Sequence, residues 1–267
     1  MKNIFKIVLV ALVALFLGAC SDNEKPKEQE KTVIKVGATP IPHAEILQEV
    51  KKILAKEGYT LEIVEFTDYV TPNIAVEEGE LDANFFQHVP YMDEFNKNKN
   101  THIVKTVNVH LEPMGVYSSK IKSLKDIKDG DTIAVPNDPT NESRALDILQ
   151  REGLLTFKDV ELKTAKDILD NPKNLKIEEL DAPQLPRVLD EVTAAVINTN
   201  YALLSNLNPL KDALAIESKD SPYANIVSVK AGNENKPYIQ ALNKAINSEE
   251  IKTFIRTKYQ GAIIEAF

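Results

Sequence analysis

The sequence predicts an α/β protein made of two α/β lobes with a ligand cleft between them, and three observations carry that expectation. Short β-branched runs alternate with helical spacing from Thr32 onward. The alternation begins again near Met114, and the extended stretch "THIVKTVNVHLEP" lies between the two units. Polar, turn-forming residues follow the predicted strands, where open α/β sheets hold their ligands.

In the first unit, "TVIKVGATP" is a strand closed by Gly and Pro, and "HAEILQEVKKILAKEG" places Ile46, Leu47, Val50, Ile53 and Leu54 on one helical face before Gly58. "YTLEIVEF" returns to strand, "VTPNIAVEEGE" is a short helix opened by Pro72 and stopped by Gly79, and "LDANFFQ" is strand again. Strand and helix in this alternation predict a parallel sheet with crossover helices. In the second unit, "SLKDI", "NESRALDILQREG" and "PQLPRVLD" are the helices, and "MGVYSS", "DTIAVP", "KIEELD" and "TAAVIN" the strands. The C-terminal part adds one strand and two helical stretches. This assigns residues 32–112 and 227–267 to one lobe and 113–226 to the other.

The N-terminus sets the compartment. Lys2 and Lys6 precede the apolar run "IVLVALVALFL", too short for a membrane span of about 20 residues. Residues 1–19 are therefore expected to be a cleaved export signal. Cys20 is the single cysteine, so it forms no internal disulfide, and its place after "LGA" resembles a bacterial lipobox. That resemblance implies a diacylglycerol on its sulfur, further acylation and a lipid anchor at the extracytoplasmic face of the cell membrane. "SDNEKPKEQEK" has nothing apolar to bury, so residues 20–31 are expected to be the lipidated cysteine and a disordered tether. The formal net charge of −8, with no basic run, argues against nucleic acid as a partner.

Three groups of residues point to a small-molecule site. Arg144 is expected in the first turn of the helix after "NDPTNES", where free backbone N–H groups already favour an anion. A guanidinium there fits a carboxylate or phosphate guest; the alternative is that it points to solvent or pairs with Glu142 or Asp147. Phe66, Tyr69, Phe85, Phe86, His88 and Tyr91 crowd into two loops of the first unit and suggest an apolar wall with a polar tip, alternation making Phe85 a core residue. Asn198, Asn200 and Asn225 follow strand ends and supply donors and acceptors without charge. The four histidines have no metal-site spacing, there is no G-x-S-x-G elbow, and the chain offers no glycine-rich phosphate loop. Neither a metal, a cofactor nor an enzymatic activity is expected.

"DYVTPNIAV", "GELDANFFQHVPYM", "AVPNDPTNESRALDILQREGL", "AAVINTNYAL" and "DSPYANIV", behind the lipobox, resemble the methionine-binding (NlpA) lipoprotein family of ABC importers from about Thr32 to the C-terminus. The resemblance implies a periplasmic-binding-protein-like fold with two crossover segments. It also implies a monomeric, membrane-tethered binding protein that passes L-methionine to a permease and its ATPase. Arg144 then takes the ligand carboxylate, with Asn141 beside it. Asn198 or Asn200, together with Asn225, holds the amino and carboxylate groups, and Tyr69, Phe86, His88 and Tyr91 enclose the side chain. Other cargoes in the same role are a methionine-containing dipeptide or another small apolar amino acid. A surface adhesin or signalling lipoprotein is the alternative from a different class.

Overall fold

The computed structural model describes residues 31–218 and 220–267. The export signal, Cys20 and all of the tether but Lys31 lie outside the described residues. Strand β1 (Val33–Ala38) leads through a turn at Pro40–Ala44 into helix α1 (Glu45–Lys56). There follow β2 (Thr60–Glu65), α2 (Thr71–Glu78), β3 (Ala83–His88), α3 (Val89–Lys99) and β4 (Ile103–Leu111). The next stretch holds β5 (Gly115–Tyr117), β6 (Thr132–Pro136), α4 (Pro139–Arg151), the paired β7 (Thr156–Phe157) and β8 (Ile168–Asp170), and β9 (Lys176–Leu180). It continues with β10 (Ala194–Ile197), α5 (Thr199–Leu204), α6 (Pro209–Asp212) and β11 (Ala215–Ile216). The chain closes with β12 (Ala224–Lys230), α7 (Pro237–Ile246), α8 (Glu249–Tyr259) and β13 (Ile264–Glu265).

Two sheets organise these elements. One has the order β13-β4-β12-β3-β1-β2, the other β11-β5-β10-β6-β9. The chain passes between them at 112–114 and returns at 217–223. Both sheets are mixed rather than wholly parallel. β1, β2 and β3 run parallel, but β12 is antiparallel to β3 and β4, and β5 is antiparallel to β10. The strands next to the two crossings cause this, since a segment entering a sheet from outside needs no crossover helix to fix its direction.

Helix α1 shows how the sequence builds the core. Ile46, Leu47, Val50 and Leu54 are fully buried in one cluster with Ile34, Val36 and Ala38 of β1. Burying each large side chain stabilises the fold by about 1.5–3 kcal/mol. Gly79, at φ 80°, ends α2 as expected, because the left-handed C-cap suits a residue without Cβ.

Other elements depart from the sequence expectation. Helix α3 was not anticipated: Pro90 sits in its first turn, where a missing N–H costs nothing, and its polar tail hides the buried face of Tyr91, Met92 and Phe95. "PQLPRVLD" winds as a 3-10 helix at Ala182–Val188, with Pro186 inside it denying an α-helical N–H. Among the described residues no helix is long and apolar enough to cross a membrane.

Candidate ligand-binding site

All nine residues nominated from the sequence line one pocket holding about 340 Å³ of atom-free space, part of it open to solvent. Phe86, His88 and Tyr91 line it from β3 and α3, and Tyr69 from the connection after β2. Asn141 and Arg144 come from α4, Asn198 and Asn200 from the start of α5, and Asn225 from the start of β12.

The aromatic wall is made by regular structure more than by loops. Phe86 and His88 are on β3 and Tyr91 is on α3; Tyr69 alone of these four lies between elements, after β2. The ring centroids of Tyr69 lie 5.8 Å from those of Phe86 and Tyr91, within the range of favourable aromatic pairs. Strand alternation sends Phe85 the other way, into the core, where its ring meets His43 edge-on at 4.7 Å. Phe66 leaves the wall as well and packs with Leu81. Gly37 makes that possible, because a Cβ there would come within 2.6 Å of Leu81 and 3.0 Å of the Phe66 ring.

Helix α4 begins earlier than its residue pattern suggests, with Asp138 as N-cap and Pro139 in the first turn. Asp138 Oδ1 accepts from the Asn141 backbone N–H at 3.0 Å, and both its oxygens accept from Asn141 Nδ2. The helix terminus therefore already has an anion, and Arg144 stands in the second turn rather than the first. Its guanidinium pairs with neither Glu142 nor Asp147. Nε donates to Glu217 Oε1 at 2.7 Å, and Nη2 donates to Glu217 Oε2 at 2.5 Å and to the Glu112 backbone oxygen at 2.7 Å. The Tyr223 ring lies 4.6 Å from the guanidinium carbon, at cation–π range. All of these bonds use Nε and Nη2.

Asn141 also links both sides of the pocket. Its Oδ1 accepts from Asn198 Nδ2 at 2.9 Å and faces His88 Nε2 at 3.3 Å. His88 Nδ1 accepts from the Tyr91 N–H, so the neutral ring carries its proton on Nε2. Burial first, and the Arg144 charge second, depress the His88 pKa to about 3. Across the pocket, Tyr69 donates to Asn200 Oδ1 at 2.7 Å, and burial raises its phenol well above the ordinary range.

Below the pocket, Glu112, His43 and His110 meet. His110 Nε2 lies 2.7 Å and His43 Nε2 3.2 Å from Glu112 Oε1; His43 also reaches Asn225 Oδ1 at 3.1 Å. Burial lowers the pKa of His43 to about 4 and that of His110 to about 3, and raises that of Glu112. The three offer one ligand atom each within 4.8 Å, a grouping that the chain spacing of the histidines did not suggest. The chemistry fits hydrogen bonding better than a metal: a metal-bound histidine donates its second N–H, whereas His110 Nδ1 is buried without a partner.

Gln87, Glu112 and Thr199 also line the pocket, and Glu217 and Tyr223 dress Arg144; the sequence reading passed over all five. Glu112 stood in plain view, an acid placed where "VNVHLEP" leaves its strand.

The NlpA lipoprotein family profile matches residues 34–267. Outer membrane lipoprotein 3 of Mannheimia haemolytica is 44% identical, the alignment covering 97% of each chain. The methionine-binding lipoprotein MetQ of Bacillus subtilis is 41% identical over 99% of this chain and 98% of its own. A solved structure of a nutrient binding protein from Burkholderia cenocepacia, bound to methionine, is 49% identical and superposes with a TM-score of 0.86, covering 88% of this chain and all of that one.

Proposed function

Because the chain belongs to the NlpA lipoprotein family, we propose that it is the lipid-anchored substrate-binding protein of an ABC importer. It captures L-methionine and delivers it to a membrane permease and its ATPase. The observation that carries this reading is the convergence of aromatic, amide and guanidinium side chains, from positions 69 to 225 of the chain, on one pocket between two sheets. That pocket has an apolar wall for a thioether and polar groups for the two ends of a zwitterion.

In this reading residues 32–112 with 227–267, and 113–226, act as lobes that swing about the crossings. Arg144 and Asn141 serve the ligand carboxylate, with Nη1 the guanidinium nitrogen left for it. Asn198, Asn200 and Asn225 hold the remaining polar atoms, and Tyr69, Phe86, His88 and Tyr91 close around the side chain. Contacts from both lobes to one guest favour the closed form, because only differential affinity shifts such an equilibrium. Cys20 carries the lipid that keeps the monomer at the extracytoplasmic face of the membrane. The protein binds and hands over its cargo; it performs no chemistry on it.

Titration calorimetry on protein refolded free of bound ligand tests the proposal. L-methionine binds with a dissociation constant well below that of L-leucine or L-glutamate, and mass spectrometry of natively purified protein releases methionine. No heat with L-methionine rejects the assignment.

A further inference from the structure

We infer that Glu142 and Glu179 share one proton, and that this proton sets the first turn of α4 according to the acidity of the surrounding solution. The helix carries Asn141 and Arg144 to the pocket, so the link from the proton to ligand binding rests on the binding-protein reading above. The sharing of the proton does not.

Glu142 stands in that first turn and is 5% exposed. Asn141 and Arg144 line the pocket, whereas Glu142 meets two other elements. Its Oε1 accepts from the Ala165 N–H at 3.1 Å, on the segment before β8, and its carboxyl group also hydrogen-bonds that of Glu179 on β9. Two ionised carboxylates offer only acceptors, so this bond exists only while one of them keeps a proton. The charged groups set against Glu142, Glu179 from β9 and Asp138 from its own helix, are both acids. On the segment before β8, Lys163 is taken up by Asp147 at 2.7 Å and Asp167 faces Lys158 at 3.7 Å, while Lys166 is exposed. Burial first, and Glu179 second, raise the Glu142 pKa to about 7.

The direction follows from the charges. A carboxylate in the first turn ordinarily suits a helix, but Asp138 already holds the cap and accepts from Asn141 and Thr140. Losing the shared proton adds a negative charge beside Asp138 and Glu179. The two glutamates then repel, which loosens the turn from β9, and the added charge opposes an anion held by Asn141 and Arg144. A guest with a carboxylate is bound more tightly while the proton is present, and by linkage its arrival draws the proton in.

Urea unfolding of the full mature chain without ligand tests the shared proton. Between pH 4.5 and about 7 the native pair keeps a proton that the unfolded chain gives up, so stability from this source is present at low pH and lost as pH rises. Relative to Glu142→Gln, the wild-type folding constant falls by up to about tenfold per pH unit across that window and levels off above it. Glu179→Gln, at an exposed position, shrinks the fall, because its amide donates to an ionised Glu142. Parallel profiles for wild type and Glu142→Gln overturn the inference. If that variant fails to fold, wild type against Glu179→Gln decides in the same way.

Calorimetry with L-methionine from pH 6 to 8 tests the link to the pocket. Wild-type affinity falls about five- to tenfold over this range, and two buffers of different ionisation enthalpy report proton uptake on binding near pH 7. Glu142→Gln keeps its pH 6 affinity at pH 8, because the amide copies the protonated acid. His102→Gln, which removes the exposed histidine before β4, keeps the wild-type fall. A flat wild-type profile, or the same fall in Glu142→Gln, overturns the link. If L-methionine binds at no pH, the methionine reading fails while the unfolding profiles still decide the shared proton.

Discussion

Arg144 and Glu217 form a two-bond ion pair, Nε to Oε1 at 2.7 Å and Nη2 to Oε2 at 2.5 Å, at the place where both segments joining the two sheets pass. Glu217 opens the returning segment, and Nη2 also holds the backbone oxygen of Glu112 in the outgoing one. The Met114 N–H, at the end of the outgoing segment, donates to Glu217 Oε2 at 3.2 Å. One guanidinium therefore ties together the two strips of chain about which a two-lobed protein hinges.

Removing one partner of this buried pair leaves the other uncompensated. Glu217→Ala is expected to destabilise the protein by about 3–5 kcal/mol and Glu217→Gln by less, because the amide still accepts hydrogen bonds. The double variant Arg144→Ala with Glu217→Ala should lose less than the sum of the single losses. Urea unfolding followed by circular dichroism measures the wild type, Arg144→Ala and these three variants; additive losses would mean that the two side chains do not act as a pair.

Phe86 and Phe85 are neighbours on β3 with opposite duties. Phe86 lines the pocket, so Phe86→Ala should weaken L-methionine binding by about 10- to 100-fold, the equivalent of about 1.5–3 kcal/mol of lost apolar burial. Phe85 is fully buried in the core, and Phe85→Ala should cost about 3–5 kcal/mol of stability with a smaller change in affinity. Calorimetry and thermal unfolding on the two variants separate the roles.

His88 couples the site to pH. Its native pKa is lowered from 6.5 to about 3, so between these values the unfolded chain takes up a proton that the native ring refuses. Its contribution to stability is therefore complete above about pH 6.5 and is lost as pH falls, at up to about 1.4 kcal/mol per pH unit. Glu142, raised to about 7 chiefly by burial and then by Glu179, acts in the opposite direction, so the wild-type profile alone does not isolate the histidine. Comparison with His88→Gln does: between pH 6.5 and 4 the variant should lose less stability than the wild type, by about one proton's worth of slope. Parallel profiles would place the His88 proton elsewhere.

Cys20 lies outside the described residues, and its role is a question of chemistry. Cys20→Ser removes the acceptor for the diacylglycerol, so the protein should lose incorporation of labelled fatty acid and leave the membrane fraction on centrifugation. Retention of the label by the serine variant would remove the anchor from the proposed function.

What the sequence determined by itself was the set of local patterns. The apolar spacing of α1, the Gly79 stop of α2 and the strand character of β3 and β12 all follow from neighbours within a few residues, where burial has a readable period. The nine nominated site residues lie on or beside the segments that this periodicity and the family motifs mark, although Tyr91 stands on the unanticipated α3 and Arg144 one turn further into its helix than the pattern suggests. Only the tertiary structure decided the partners. Arg144 is 73 residues from Glu217, and His43 is 67 positions before His110 yet has its ring 5.0 Å away. The strand order β4-β12-β3 places His110, Asn225 and His88 side by side. Periodicity tells a side chain whether to be buried, whereas pairing of a buried charge depends on distance through space, which is set by the order of strands and the two crossings between sheets.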